Sequence, residues 1–536
     1  MINIFKKLNI EHYVSLLFFV CIAVFSFSVM KNNVLYLDDI MLDFVRDGIK
    51  IHIPMLGYGT WTLQLQNQLF YYLPSKLGIN IQDWALIFGG VFKSLIVTAI
   101  SFVFYKFVRT EKTPLIITLP LTFIFYSLFV ILITNLTLND FVIYVGFFRF
   151  TLCALLMSVF LYLYYNFCIN GKLNLWIILP LAVITTASSE IAACSLLTIV
   201  FLTAISKIIY GKISLENFDK KKFFTDLLIF TALVTGVVLL VSDEGFRCHV
   251  LTKKSSELTC FHDYLLILPE FLKQYFKNVL FIHSFPLCVL FLSYMSAFIT
   301  NKSDKNYLLK KIIFSVNCLL SILVLYFSLI IVGKFEATND YWINHPDLYA
   351  FVIPLFFISL IIPLTNIIQG IYSSQKRLLF ITAFLCAGIL FPQLMNTANY
   401  LNNEYKIYKE MTYIRDKAIA FCIYSNIYLP DSDIFKYLYI NKSSYVEGIE
   451  NYDVPITKLD VDDFEKSFKV ILLEDYMPAV YNIKKDNPKV INGITTLQQT
   501  MSYLFNQGFR YDEVDKNEYK FSDISNRNFV LGTDKN

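Results

Sequence analysis

The sequence predicts an α-helical polytopic membrane protein of about eleven spans, followed by a small α+β domain outside the membrane. Three observations predict it. Long apolar runs continue to about residue 396, basic clusters punctuate those runs, and the composition from residue 397 onward is that of an ordinary soluble protein. Hydrophobic residues make up 56% of the chain and charged residues only 16%, against roughly 45–50% and about 25% in a soluble domain. Such a surplus of apolar side chains needs lipid to cover it. The net charge of +4 is too small to point to nucleic acid, and the basic residues lie between apolar runs. That placement speaks of topology rather than of a polyanionic partner.

A crossing helix needs about 20 apolar residues. The first run, 12–31, follows Lys6 and Lys7. It has the outline of a signal peptide, but it lacks a small-x-small cleavage site and enters a charged loop, so it reads as a retained anchor. Further spans are expected at 84–107, 114–134, 144–168, 174–188, 191–209, 223–242, 279–300, 312–333, 349–369 and 378–396. The stretch 174–209 allows either one over-long helix or two short ones meeting at Ser188-Ser189-Glu190. Charge decides between them. With two spans, Lys106, Arg109 and Lys112, then Lys172, then Lys207, Lys212 and Lys220 to Lys222 all fall on one side. So do Lys302, Lys305, Lys310, Lys311, Lys376 and Arg377, while the turns near 135–140 and 188–190 carry no Lys or Arg. A single span would throw every later cluster to the other side. The positive-inside rule therefore gives eleven spans, a cytoplasmic N-terminus and an extracytoplasmic C-terminus.

This topology defines a membrane domain, 1–396, with three outer loops at 32–83, 243–278 and 334–348, and an outer domain at 397–536. In that outer domain, helical patterns at 401–424 and 495–507 accompany strand-like runs at 468–473, 509–514 and 527–532. Of the ten cysteines, seven lie in or beside apolar runs, where they act as small hydrophobes. No CxxC and no Cys/His ligand spacing is present, which argues against a structural zinc site. Cys248 and Cys260 flank one outer loop, and a disulfide between them is an open possibility in an oxidising compartment.

The chemistry-bearing residues gather in the outer segments. Asp38 and Asp39 sit at the mouth of the first span. Two adjacent acids in a partly desolvated cleft repel each other, which raises the affinity of one for a proton and suits it to act as a base. Over a short interfacial helix, Asp39, Asp43 and Arg46 would share a face; the plainer reading is a helix start with acids at its positive end. Glu190 would be costly at the bilayer centre, and the hairpin topology moves it to the outer end of its helix. Its plainer reading is part of an N-cap with Ser188 and Ser189. Arg247 and His249 open the second loop, with Lys253 and Lys254 close behind. Arginine offers a forked donor to a phosphate, although a structural pair with Asp243 or Glu244 is the alternative. His345 and Asp347, beside Tyr341 and Trp342, form a polar-aromatic cluster that would suit a sugar or, more simply, an interfacial aromatic belt. Lys93, about ten residues into its span, is a candidate for facing a cavity.

The acidic pair within Tyr36-Leu37-Asp38-Asp39-Ile40, the odd number of spans and the outer tail together resemble the GT-C class of membrane glycosyltransferases. Within that class the chain is most similar to bacterial enzymes that decorate lipopolysaccharide, such as the serotype-converting glucosyltransferases. It departs from their tryptophan and Gly-Arg-Pro pattern, reading Gly48-Ile49-Lys50-Ile51-His52-Ile53-Pro54 after the acids. The resemblance implies a polyprenyl-phosphate sugar donor, a surface glycan or lipid-linked glycan as acceptor, and action at the outer face of the bacterial inner membrane. It implies an acid of the pair, Asp39 slightly before Asp38, as base or positioning group. Arg46, Glu190, Arg247, His249, His345 and Asp347 are the implied binding residues. No cofactor is implied; a divalent ion between the two acids stays open. The competing readings are an O-antigen polymerase and, outside enzymes, a flippase or transporter of lipid-linked saccharide. Against transport stand the absence of an internal repeat and the gathering of polar residues at one face.

Overall fold

The computed structural model describes residues 10–33, 65–66, 68–77, 81–109, 113–136, 147–171, 173–214, 220–242, 280–299, 305–331, 346–372 and 375–424. All the described elements are helical. In chain order they are α1 (Ile10–Met30), a π-helical turn (Gln68–Tyr72), α2 (Leu73–Leu77), α3 (Ile81–Val108) and α4 (Leu115–Leu136). A second π-helical turn (Phe147–Thr151) leads into α5 (Leu152–Asn170), then come α6 (Leu175–Ser188), α7 (Glu190–Ser214) and α8 (Lys220–Ser242). The chain continues with α9 (Leu280–Ile299), α10 (Lys305–Ile331), α11 (Pro346–Tyr372) and α12 (Lys376–Tyr424).

Eight of the described helices are long and apolar enough to cross a membrane, and α6 and the Cys288–Ile299 part of α9 are shorter apolar helices. The chain is therefore a multi-pass membrane protein. Many large apolar side chains point away from the bundle, among them Leu16, Leu17 and Val24 on α1 and Phe384, Leu385 and Ile389 on α12. These belong against lipid. The most deeply buried span is Tyr349–Tyr372 within α11, and its Phe357 packs edge-on to Phe104 of α3 and Phe125 of α4. Aromatic edge-to-face contacts of this kind fill the centre of the bundle.

Contacts between helices fix their directions. Arg109 pairs with Glu11 at 2.6 Å, while Lys93 donates to Asn33 at 2.8 Å, so α1 and α3 run antiparallel. Gln369 donates to Thr113 at 3.5 Å, Lys311 to Asn366 at 3.0 Å, and Lys207 to Asp226 at 2.7 Å. Lys376 lies over the ring of Tyr372. One end of the bundle thereby collects Lys106, Arg109, Lys207, Lys222, Lys310, Lys311, Lys376 and Arg377.

The stretch 174–209 is a hairpin. Asn174 caps α6 by accepting from the Trp176 N–H, and Ser189, in an extended conformation, separates α6 from α7. Ser189 caps α7 in turn: its side-chain oxygen accepts from the Ala192 N–H at 3.4 Å and its carbonyl from Ala193 at 2.9 Å. Ser188 lies beside Cys153 at the start of α5. Lys207 reaches Asp226 near the start of α8, and Lys222 is beside Gly171 just past the end of α5. Since α5 carries the chain about 27 Å between Cys153 and Gly171, the break at Ser189 lies at the end opposite the basic residues. Close packing makes the turn possible. A Cβ at Gly236 of α8 would fall 2.5 Å from the Val183 carbonyl oxygen of α6, and Thr186 donates across this interface to the Leu233 carbonyl at 3.0 Å.

The span expected at 378–396 and the helical pattern expected at 401–424 are a single helix of 49 residues, α12. The helix runs without interruption through residue 396. The remainder of the expected outer domain, 425–536, lies outside the described residues.

Candidate functional site

Of the residues singled out by sequence, Asp38, Asp39, Arg46, Arg247, His249 and His345 lie outside the described residues, as do Cys248 and Cys260. Asp347 is the second residue of α11, and Glu190 is the first of α7. Glu190 is half-buried at the end opposite the basic residues. There its carboxylate meets the positive end of the α7 dipole, and the neighbouring cap is Ser189.

Lys93 is the charged residue around which this end is organised. It is fully buried, and its ammonium donates to Asn33 Oδ1 at 2.8 Å, just beyond the end of α1. It also lies 5.1 Å from the ring centre of Phe147 and 5.6 Å from that of Tyr405. Four separate parts of the chain thus meet at one cation: the exit of α1, α3, the second π-helical turn and α12. Both π-helical turns are here. Phe70 of the first packs 5.7 Å from Phe148 of the second, and Phe92 stacks on Phe148 at 4.9 Å with planes 4° apart. A π-helical turn re-aims side chains that an α-helix would space evenly, and such turns recur at functional sites.

The segments that meet at Lys93, and those next to them in sequence, carry polar groups that sequence reasoning missed. Asn33 and Gln66 are fully buried, and Glu404 is 1% exposed on the same turn of α12 as Tyr405. The Asn33 amide nitrogen has no hydrogen-bond partner among the described residues, nor has either end of the Gln66 amide, the Asn402 oxygen or the Thr151 hydroxyl. A buried polar atom left without a partner costs about 1–3 kcal/mol, and such atoms occur at the basic end too, on Arg109 and Asn366. No signal in the sequence alone distinguishes these uncharged amides; only Lys93 stood out.

A second polar cluster lies at the basic end. Asp226, 1% exposed, accepts from Lys207 at 3.0 and 2.7 Å and from the Tyr164 hydroxyl at 3.0 Å. Lys207 also lies 4.9 Å from the Phe167 ring centre. Every hydrogen-bonding partner here comes from α5, α7 or α8, so the cluster ties three helices together. Among the described residues, no group of three or more His, Cys, Asp or Glu is placed to hold a metal ion.

Comparison with known proteins returns no matching family model, no matching curated protein and no matching solved structure.

Proposed function

We propose that the protein is a GT-C-like membrane glycosyltransferase that moves a sugar from a polyprenyl-phosphate donor to a surface glycan, such as lipopolysaccharide or O-antigen. The bundle has eleven spans, with the basic end in the cytoplasm and the Lys93 end facing outward across a bacterial inner membrane. The observation that supports this most is the convergence at Lys93, at the end opposite the basic residues, of the exit of α1 and of α12. Asp38 follows Asn33 by five residues, a tether of at most about 18 Å. The acidic pair follows Asn33, which accepts from Lys93, by five and six residues along the chain.

In this reading an acid of the pair, Asp39 or Asp38, takes the proton of the acceptor hydroxyl as its oxygen attacks the anomeric carbon. The bond to the lipid phosphate breaks, and Arg247 with its neighbouring cations stabilises the charge that develops on the leaving phosphate. Inversion at the anomeric carbon follows from a single displacement. Glu190 and Asp347 stand at helix starts on the outer side, where they would contact the acceptor.

Deletion of the chain in its source bacterium, followed by mass spectrometry of the surface polysaccharide, tests the proposal. Loss of one hexose, restored by the wild-type chain but not by stably expressed Asp38→Asn or Asp39→Asn, is the expected outcome. Full restoration by both variants would refute the catalytic role of the pair. A changed distribution of chain lengths with every sugar retained would point to a polymerase instead.

A further inference from the structure

The basic end of the bundle holds a buried cation in a different setting. Lys311 of α10 is 3% exposed, and its ammonium donates to Asn366 Oδ1 of α11 at 3.0 Å. Asn366 is itself 6% exposed, and its amide nitrogen has no hydrogen-bond partner among the described residues. The two facts are linked. The oxygen and nitrogen of an amide share one carbon, so the partnerless N–H group lies beside the ammonium, and the reverse orientation would set N–H against N–H. The pair therefore presents two adjacent donors and uses the amide acceptor internally. An acceptor completes it, and the charge favours an anion.

The surroundings say which anion. The segments flanking the pair in sequence carry Lys302, Lys305, Lys310, Lys376 and Arg377 against one acid, Asp304, and no Asp or Glu occurs from 348 to 403. The pair also lies close to the lipid-facing surface. The ring of Tyr307, which is 45% exposed, stands 4.5 Å from the Lys311 ammonium. On α9, Ile299 packs against Gly370, one turn beyond Asn366, while its neighbour Phe298 is exposed. Lys311 and Asn366 each sit six positions inside a helix end, at Lys305 and Tyr372, about 9 Å along the axis. A phosphate carried by a lipid reaches that depth alongside its acyl chains, whereas a free anion would have to leave water. Basic sites between membrane helices on the cytoplasmic side bind anionic headgroups in this way.

We propose that Lys311 and Asn366 seat the phosphate of an anionic phospholipid from the leaflet on the basic side of the membrane, with Tyr307 at the entrance. The site is independent of the glycosyltransferase reading and lies at the opposite end of the bundle from Lys93.

The test uses the full-length chain purified in a nonionic detergent, with dioleoyl phosphatidylglycerol, dioleoyl phosphatidylcholine and inorganic phosphate as probes. Native mass spectrometry should show phosphatidylglycerol binding roughly tenfold more tightly than phosphatidylcholine, the scale of one charge-assisted hydrogen bond. Asn366→Asp should abolish that preference, because it keeps an acceptor for Lys311 but puts a carboxylate where the amide donor was. Its thermal midpoint without lipid should equal or exceed that of the wild type. Lys310→Gln makes the same change of charge at an exposed neighbour, and it should keep most of the preference. Lys311→Met/Asn366→Leu, which removes the pair without stranding either member, should lose the preference as Asn366→Asp does. The inference is overturned if phosphatidylglycerol shows no preference, if Lys310→Gln and Asn366→Asp reduce it equally, or if either pair variant, folded, retains it. Displacement of the lipid by an equal concentration of inorganic phosphate would also overturn it, since the site would then take a soluble anion.

Discussion

Asp226 shows how an ionised side chain is kept inside a membrane bundle. Its two oxygens take three hydrogen bonds, two from Lys207 and one from Tyr164, so the carboxylate is satisfied from two neighbouring helices. Removing one partner from such a pair leaves the other charge buried, at a cost of about 3–5 kcal/mol. Lys207→Met, which strands the 1% exposed Asp226 carboxylate, should therefore lower the thermal unfolding midpoint substantially, as read by tryptophan fluorescence of the purified protein. The double variant Lys207→Met/Asp226→Leu should be less damaged than either Lys207→Met or Asp226→Leu alone, because well-packed apolar residues replace the pair without an orphaned charge. If the double loss equals the sum of the two single losses, the residues do not act as a pair. At this scale the sequence was informative about Lys93, whose charge stands out inside an apolar run. It was silent about Asp226, which lies inside the expected span 223–242 close behind Lys220 to Lys222. Asn33 and Gln66 were invisible, since an uncharged amide scarcely alters local hydropathy and its burial is decided by segments distant in sequence.

Among the elements, the hairpin of α6 and α7 was legible because two independent signals agree on it. Ser188-Ser189-Glu190 offers the chemistry of a helix start, and the charge clusters require a reversal there. The structure adds the packing reason. Gly236 lets α8 lie so close to α6 that any side chain would meet the Val183 carbonyl oxygen, and small residues are what permit such approach between membrane helices. Gly236→Ala should destabilise the protein by about 1–3 kcal/mol, the range for overpacking. Gly388 on α12 is the matched control, since a Cβ there meets nothing within 4 Å. Gly388→Ala should be neutral or stabilise by up to about 1 kcal/mol through helix propensity. Thermal midpoints of the two variants, measured side by side, check the contrast; equal effects would mean that the α6–α8 contact is not close in the membrane. The continuity of α12 was not legible in the same way. Composition turns polar near Asn399 and suggests a domain boundary, but backbone hydrogen bonding is indifferent to whether lipid or water surrounds a helix.

On the scale of the whole molecule, the arrangement is polar in the geometric sense. Basic residues collect at one end, and Asn33, Lys93, both π-helical turns and the start of α7 collect at the other. In the proposed orientation the basic clusters lie in the cytoplasm, where loops carry the excess of Lys and Arg. The hairpin then has a consequence that reporter fusions can read directly. Fusions after residues 112, 172, 217, 303 and 374 should make a fluorescent protein that folds only in the cytoplasm glow. Fusions after 140, 189, 260, 340 and 430 should instead give active extracytoplasmic alkaline phosphatase. The decisive pair is 172 and 217. If α6 and α7 form a hairpin within the membrane, both report the cytoplasm; if 174–209 crosses once, they report opposite sides and every later fusion reverses. Opposite signs at 172 and 217 would place the later segments, α12 and the tail included, on the other face from that proposed. The acids near Asn33 and the outer domain would then lie on opposite sides of the membrane, and a single outward-facing transfer site could not be built from both.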